Sequence, residues 1–143
     1  MLSNSGSNTD FSFGNVGDSA IIGNLIDIAS LGFSFEEQAI ISNAGLLYAS
    51  DIFLKTDAEL RNLLGNNAVM DSISRIKTEC RKPLTGRIIF SNKVMNLLIM
   101  GNITTLEQLM NTSCRYLNSI PNFNWADMFE IIQKLDILFG KTI

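Results

Sequence analysis

Phe33-Ser34-Phe35-Glu36-Glu37-Gln38-Ala39-Ile40-Ile41 and Phe90-Ser91-Asn92-Lys93-Val94-Met95-Asn96-Leu97-Leu98 stand 57 residues apart, and their likeness decides the fold. Each opens on Phe-Ser and reaches an apolar pair, Ile40-Ile41 or Leu97-Leu98. A serine here accepts a hydrogen bond from a first-turn amide and so starts a helix. The same offset aligns Leu46 with Ile103, Ala49 with Leu106, Ile52-Phe53 with Leu109-Met110, Thr56 with Ser113 and Leu60 with Leu117. Few pairs are identical. What repeats is the order of caps and apolar positions, without a gap for about thirty residues, followed by a drift of a residue or so in the last helix. The pattern reads as an internal duplication.

Each copy divides into four helices. In the second, Ser91 caps a helix with Val94, Leu97 and Leu98 on one face, ending near Gly101. Thr104 or Thr105 opens a short helix carrying Leu106, Leu109 and Met110, and Thr112 or Ser113 opens another carrying Leu117. Pro121 breaks the chain, and Asn124 starts a final helix to about Phe139. Its stripe of Met128, Ile131, Ile132, Leu135, Leu138 and Phe139 has the three-and-four spacing of a core-facing side. In the first copy the corresponding caps are Ser34, Asp51, Thr56 or Asp57, and Asn66 or Asn67. Upstream, Asp18 is expected to cap an additional apolar helix through Ile21, Ile22, Leu25, Ile26 and Ile28. The expected organisation is an all-α chain of two tandem modules of four to five helices. A mobile tail covers residues 1–17, the first module 18–80, a charged linker containing Lys82-Pro83 81–88, and the second module 89–143.

Composition narrows the function. There is no histidine among the 143 residues, which removes Ser-His-Asp and Cys-His nucleophiles and His-containing zinc sites. No Walker loop or GxGxxG is present, and neighbouring carboxylates such as Glu36-Glu37 point apart on a helix. A non-enzyme without metal or cofactor is therefore expected. Cys80 and Cys114 lack CxxC spacing; one bridge is conceivable, but buried, reduced thiols in a cytoplasmic protein are the favoured reading. The Ser-, Asn- and Gly-rich start has no basic region followed by an apolar core, so neither a signal peptide nor a membrane span is expected. The methionines Met95, Met100, Met110 and Met128 fall at helical spacing and read as core filler. The net charge of −3 is uneven. Through Cys80, ten acids face four bases; from Arg81 onward, seven bases face four acids, which makes the second half the one suited to an anionic partner.

Residues 83–139 resemble the C-terminal domain of the RNA polymerase α subunit, a relative of helix-hairpin-helix folds. The segments that carry the resemblance are FSNKVMNLL (90–98), GNITTLEQLM (101–110) and YLNSIPNFNWADMFEII (116–132). The resemblance implies the fold, docking to transcription factors, and binding to the minor groove of A·T-rich DNA. The family's arginine and asparagine on the first helix fall on Lys93 and Asn96, and lysine lacks the planar fork that reads a narrow groove. Its Gly-Lys-Lys-Ser falls on Asn124-Trp125-Ala126-Asp127, where both lysines are gone and a carboxylate opposes phosphate. Asn124 is expected to adopt the left-handed conformation that the glycine supplied. In the first copy Glu36 and Ala39 hold the corresponding positions, so that module is expected to serve packing or protein contact.

Two functional readings follow. In the first, the chain is a protein-interaction or transcription-associated adaptor, with Trp125, Glu36 and Glu37 as contact residues. In the second, it is a weak A·T-rich DNA binder using Lys93, Asn96, Arg87 and Asn124. Trp125 itself is expected to fold back on Phe123 or Phe129 as ordinary core more readily than to stand out as an anchor.

Overall fold

The computed structural model describes residues 20–85 and 89–138. The tail of residues 1–17, Asp18 and Arg87 lie outside the described residues. Among the described residues there are eight α-helices and no strand. The first four are α1 (Phe35–Asn43), α2 (Ala49–Phe53), α3 (Asp57–Leu64) and α4 (Asn67–Cys80). They are followed by α5 (Asn92–Met100), α6 (Leu106–Met110), α7 (Cys114–Ser119) and α8 (Trp125–Leu138).

Helix boundaries recur at the same spacing as the sequence pattern. Shifting α1 and α2 by 57 residues gives α5 and α6 at both ends, and α3 and α7 begin in the same register. The caps recur with them. Ser34, Thr56 and Asn66 accept amide hydrogens at the starts of α1, α3 and α4, as Ser91, Thr105 and Ser113 do at α5, α6 and α7. Left-handed backbone recurs too: Gly45 (φ 86°) matches Asn102 (φ 61°), and Gly65 (φ 56°) matches Asn122 (φ 71°). Asparagine is the residue after glycine that tolerates this region best, so each turn survives the replacement. The register slips once. Between the left-handed residue and the next cap the first set has Gly65-Asn66 and the second has Asn122-Phe123-Asn124, which makes Phe123 the extra residue.

Two details differ from the sequence reading. Asp51 is not the cap of α2; it lies in the first turn and its carboxylate reaches back to the amides of Leu47 (2.8 Å) and Tyr48 (3.0 Å). In α6, Gln108 does the same to Thr104 at 2.6 Å. Nor do residues 21–28 form one helix. They make two 3-10 turns, Ile22–Leu25 and Ile28–Leu31, separated by extended Ile26 and Asp27. The segment is a strap: beside the local bonds of its two turns, several of its backbone groups find partners in distant chain. Ile22 N–H donates to the Thr112 carbonyl (2.9 Å), and Cys114 N–H donates to the Ala20 carbonyl (2.8 Å). Further along, Ile28 N–H donates to Leu47, and Ala49 N–H donates to Ile26.

The segment after α4 is a second strap. Leu84 is buried and its N–H donates to the Thr104 carbonyl at 2.7 Å, as Ile28 does to Leu47. Asn24 binds the Ser50 hydroxyl at 2.7 Å in the first set; 57 residues on, Arg81 pairs with Glu107 at 3.2 Å.

The buried apolar side chains form one cluster that runs through both sets. The first strap lies at its middle, against α2 and α6. Gly23 allows the close approach: a Cβ there would come within 3.0 Å of the Met110 carbonyl oxygen and of the Ser50 nitrogen. Cys80 and Cys114 are buried and are not joined in a disulfide. Met110 and Met128 fill the core, Met95 is half-buried, and Met100 is exposed, contrary to the expectation that all four are filler. No helix among the described residues is long and apolar enough to cross a membrane.

Candidate functional site

The start of α8 and the flank of α5 bring three of the sequence-predicted nucleic-acid residues together. Lys93, Asn96 and Asn124 line an open cleft of about 600 Å³ with Leu97, Asn122 and Phe123. Arg87, the fourth, lies outside the described residues. The cleft exists because α5 places Lys93 and Asn96 on its outward side while Val94 and Leu98 turn inward. The turn before α8 supplies the opposite wall. The left-handed residue in that turn is Asn122, not Asn124 as expected. Asn124 is instead the cap. Its side-chain oxygen accepts the Asp127 N–H at 3.2 Å, and its own N–H donates to the Asp127 carboxylate at 2.9 Å. This reciprocal pair satisfies amides that the helix leaves without partners and suits the positive end of its dipole.

The Asp127 carboxylate is nearly buried, with its side chain 6% exposed, and the same oxygen takes the Lys93 ammonium at 3.1 Å. Desolvating a carboxylate is costly unless hydrogen bonds and an opposite charge compensate, and Asp127 has both. The consequence for Lys93 is direct: its charge is balanced within the protein before any ligand arrives. The sequence places at the start of α8 a carboxylate that opposes phosphate, but not its ion pair with Lys93, which depends on how α5 crosses α8.

Trp125 and Phe129 lie one turn apart on α8, ring centroids 5.8 Å apart and edge to face. Trp125 packs on Phe129, but contrary to the expectation of ordinary core both stay at the surface, 57% and 52% exposed. Beyond the cleft, Ile99, Met100 and Tyr116 are also exposed, and the Tyr116 hydroxyl donates to the Gly101 carbonyl at 2.8 Å. At the matching positions in the first set stand Ser42, Asn43 and Glu59, and for Trp125 and Phe129 stand Asn67 and Asp71.

Glu36 and Glu37 separate in role. Glu36 is exposed. Glu37 accepts the Ser34 N–H at 2.9 Å and the hydroxyl of Ser72 on α4, so its carboxylate is engaged in holding α1 to α4. The Ser72 hydroxyl foremost, and then the Ser34 amide, hold its pKa below the ordinary value of 4.5. Buried Lys77 donates to the Lys55 carbonyl at 3.0 Å and lies 3.4 Å from Asp57.

Comparison with protein-family models, with curated proteins and with solved structures finds no match to this chain.

Proposed function

We propose that the chain is a non-enzymatic binding module, built from two repeats of the RNA polymerase α C-terminal-domain type, that contacts another protein through its second repeat. The reading places it in the cytoplasm as a transcription-associated adaptor. The observation that carries it is the exposed Trp125–Phe129 pair, standing where the first repeat has Asn67 and Asp71. Both repeats keep the same helices at these positions, so the fold does not require aromatics there. Exposed aromatics are costly in solubility and are the residues most enriched at the centres of protein interfaces. A photoreactive residue at position 125 in the native host is expected to give a discrete crosslinked protein, while one at position 67 gives none. Equal labelling from both positions, or none from either, would sink the reading.

A second reading, weak binding to A·T-rich DNA, is favoured by the convergence of Lys93, Asn96 and Asn124 on one cleft. The pairing of Lys93 with Asp127 counts against it, because phosphate contact must then compete with an internal carboxylate. An anisotropy titration with A·T-rich duplex decides. Salt-sensitive binding abolished by Lys93→Ala supports DNA, and the absence of binding at low salt removes it.

A further inference from the structure

We propose that the exposed apolar patch of Ile99, Met100 and Tyr116 is a docking site for this chain's own segment upstream of Ala20, with Phe11 and Phe13 as the docked side chains. The proposal goes beyond the partner contact assigned to Trp125 and Phe129 and does not depend on it.

The three side chains share one surface. Ile99 and Met100 close α5, and Tyr116 of α7 lies over the residue that follows them. Its hydroxyl donates to the Gly101 carbonyl at 2.8 Å, and a Cβ built on Gly101 would stand 3.5 Å from its ring. The upstream segment arrives beside this surface. Ile21 pairs antiparallel with Ser113, and the Cys114 N–H donates to the Ala20 carbonyl at 2.8 Å. In an antiparallel pair, the residues before Ala20 are directed toward those after Cys114, which are Arg115 and Tyr116. Phe13 and Phe11 stand seven and nine residues before Ala20. Extended chain of those lengths spans about 23 and 30 Å, enough to pass Tyr116 and reach the end of α5. At alternate positions the two rings face the same side of an extended segment. They and Val16 are the large apolar residues between positions 3 and 17, in a stretch otherwise dominated by Ser, Asn and Gly. The charges are complementary as well. Residues 1–19 contain Asp10 and Asp18 and no lysine or arginine, while Arg115 is exposed and has no ion-pair partner among the described residues.

The first repeat serves as an internal control. In place of Ile99, Met100, Arg115 and Tyr116 it has Ser42, Asn43, Ala58 and Glu59, and the equivalent helices form with them. The fold therefore does not require apolar residues here. Nor does an upstream segment enter beside α3: the Lys55 carbonyl, which corresponds to that of Thr112, is taken by the Lys77 ammonium of α4. The apolar set and its basic neighbour stand in the repeat that the upstream chain enters, and are missing from the one it does not.

The test uses the purified full chain with a photoreactive phenylalanine in place of Phe13. Irradiation is expected to give a crosslink within one chain to Met100 or Tyr116, located by mass spectrometry of fragments and unchanged in yield on dilution. The same group at position 5 should mark this patch far less. Arg115→Glu should lower the yield about threefold, the size of an exposed ion pair, and adding Asp18→Arg should restore it. Three results overturn the proposal: no crosslink from position 13, a crosslink only to other surfaces such as Trp125, or equal marking from positions 5 and 13. A crosslink between chains that fades on dilution also overturns it, in favour of a second copy as occupant. A second measurement needs no photoreactive group. Replacing Phe11 and Phe13 together by serine, outside the described core, should shift the NMR signals of the Met100 methyl and the Tyr116 ring while leaving those of buried Leu60 in place. Met100 and Tyr116 signals that do not move would equally overturn it. None of these outcomes bears on crosslinking from position 125, so the two readings stand or fall separately.

Discussion

Where the first helix of each repeat crosses the last, the two halves of the molecule make the same contact with opposite polarity. In the first repeat the carboxylate is on α1: Glu37 receives the Ser34 amide and the Ser72 hydroxyl of α4. In the second, Val94 takes the position of Glu37, and the carboxylate comes from α8. Glu130 accepts the Ser91 amide at 2.6 Å and the Ser91 hydroxyl at 3.0 Å, standing where the first repeat has Ser72. A second exchange occurs at the turn between the short helices. The Lys55 carbonyl is satisfied by the buried Lys77 ammonium, whereas its counterpart Thr112 is satisfied by the Ile22 amide from the strap. The buried polar groups must be matched in either case, but which element supplies the partner is free to change. What the fold conserves is the satisfied position, and residues released from that duty, as on the outward side of α5, are available for binding.

The strongest way to break this equivalence is to empty the same core position in each half. Leu60 and Leu117 are both fully buried, so Leu60→Ala and Leu117→Ala should each cost about 2–5 kcal/mol. Because the core is continuous, each variant should lower one shared denaturant transition. Two separable transitions would show that the repeats fold independently. Next in size is the junction. Gly23→Ala places a Cβ against backbone of both repeats and should cost about 1–3 kcal/mol, with both halves losing amide-exchange protection together.

The polarity exchange is tested at about 1 kcal/mol. Glu130→Gln should destabilise the start of α5, and Ser72→Ala should destabilise the contact between α1 and α4. The Ser72→Ala effect carries a pH signature. The folded pKa of Glu37 lies below its ordinary value, so its contribution is present above about pH 4.5 and is lost as pH falls through the lower folded value. The stability difference between wild type and Ser72→Ala, read from urea midpoints, should therefore shrink in acid; a difference that is constant with pH would contradict the assigned contact. The smallest effects belong to the left-handed turns. Gly65→Ala should cost about 1 kcal/mol, while Asn122→Gly should change thermal stability by only a few tenths. A large loss in Asn122→Gly would mean that its side chain has a structural role absent at Gly65.

Much of the helix map was legible in order and caps. Ser34, Thr56, Asn66, Ser91 and Ser113 act locally, within a few residues of the amides they bind, so spacing alone reveals them. The strap was misread as a helix for the complementary reason. Ile22, Ile26 and Ile28 fall at near-helical spacing, but they have backbone partners at Thr112, Ala49 and Leu47, far away in sequence. Asn124 was misassigned to the left-handed position because one extra residue, Phe123, moved the cap away from it.

Of the candidate site, the identities of Lys93, Asn96, Asn124 and Trp125 were readable from the resemblance and the helix pattern. Their environments were not. By itself the sequence determined an all-α chain with a 57-residue repeat, because apolar periodicity and capping are short-range properties of the chain. The tertiary structure alone decided that Lys93 spends its charge on Asp127, that Trp125 and Phe129 stay at the surface, and that the strap joins both repeats into one core. Those outcomes depend on helix crossings and on distant backbone partners, which no local pattern encodes.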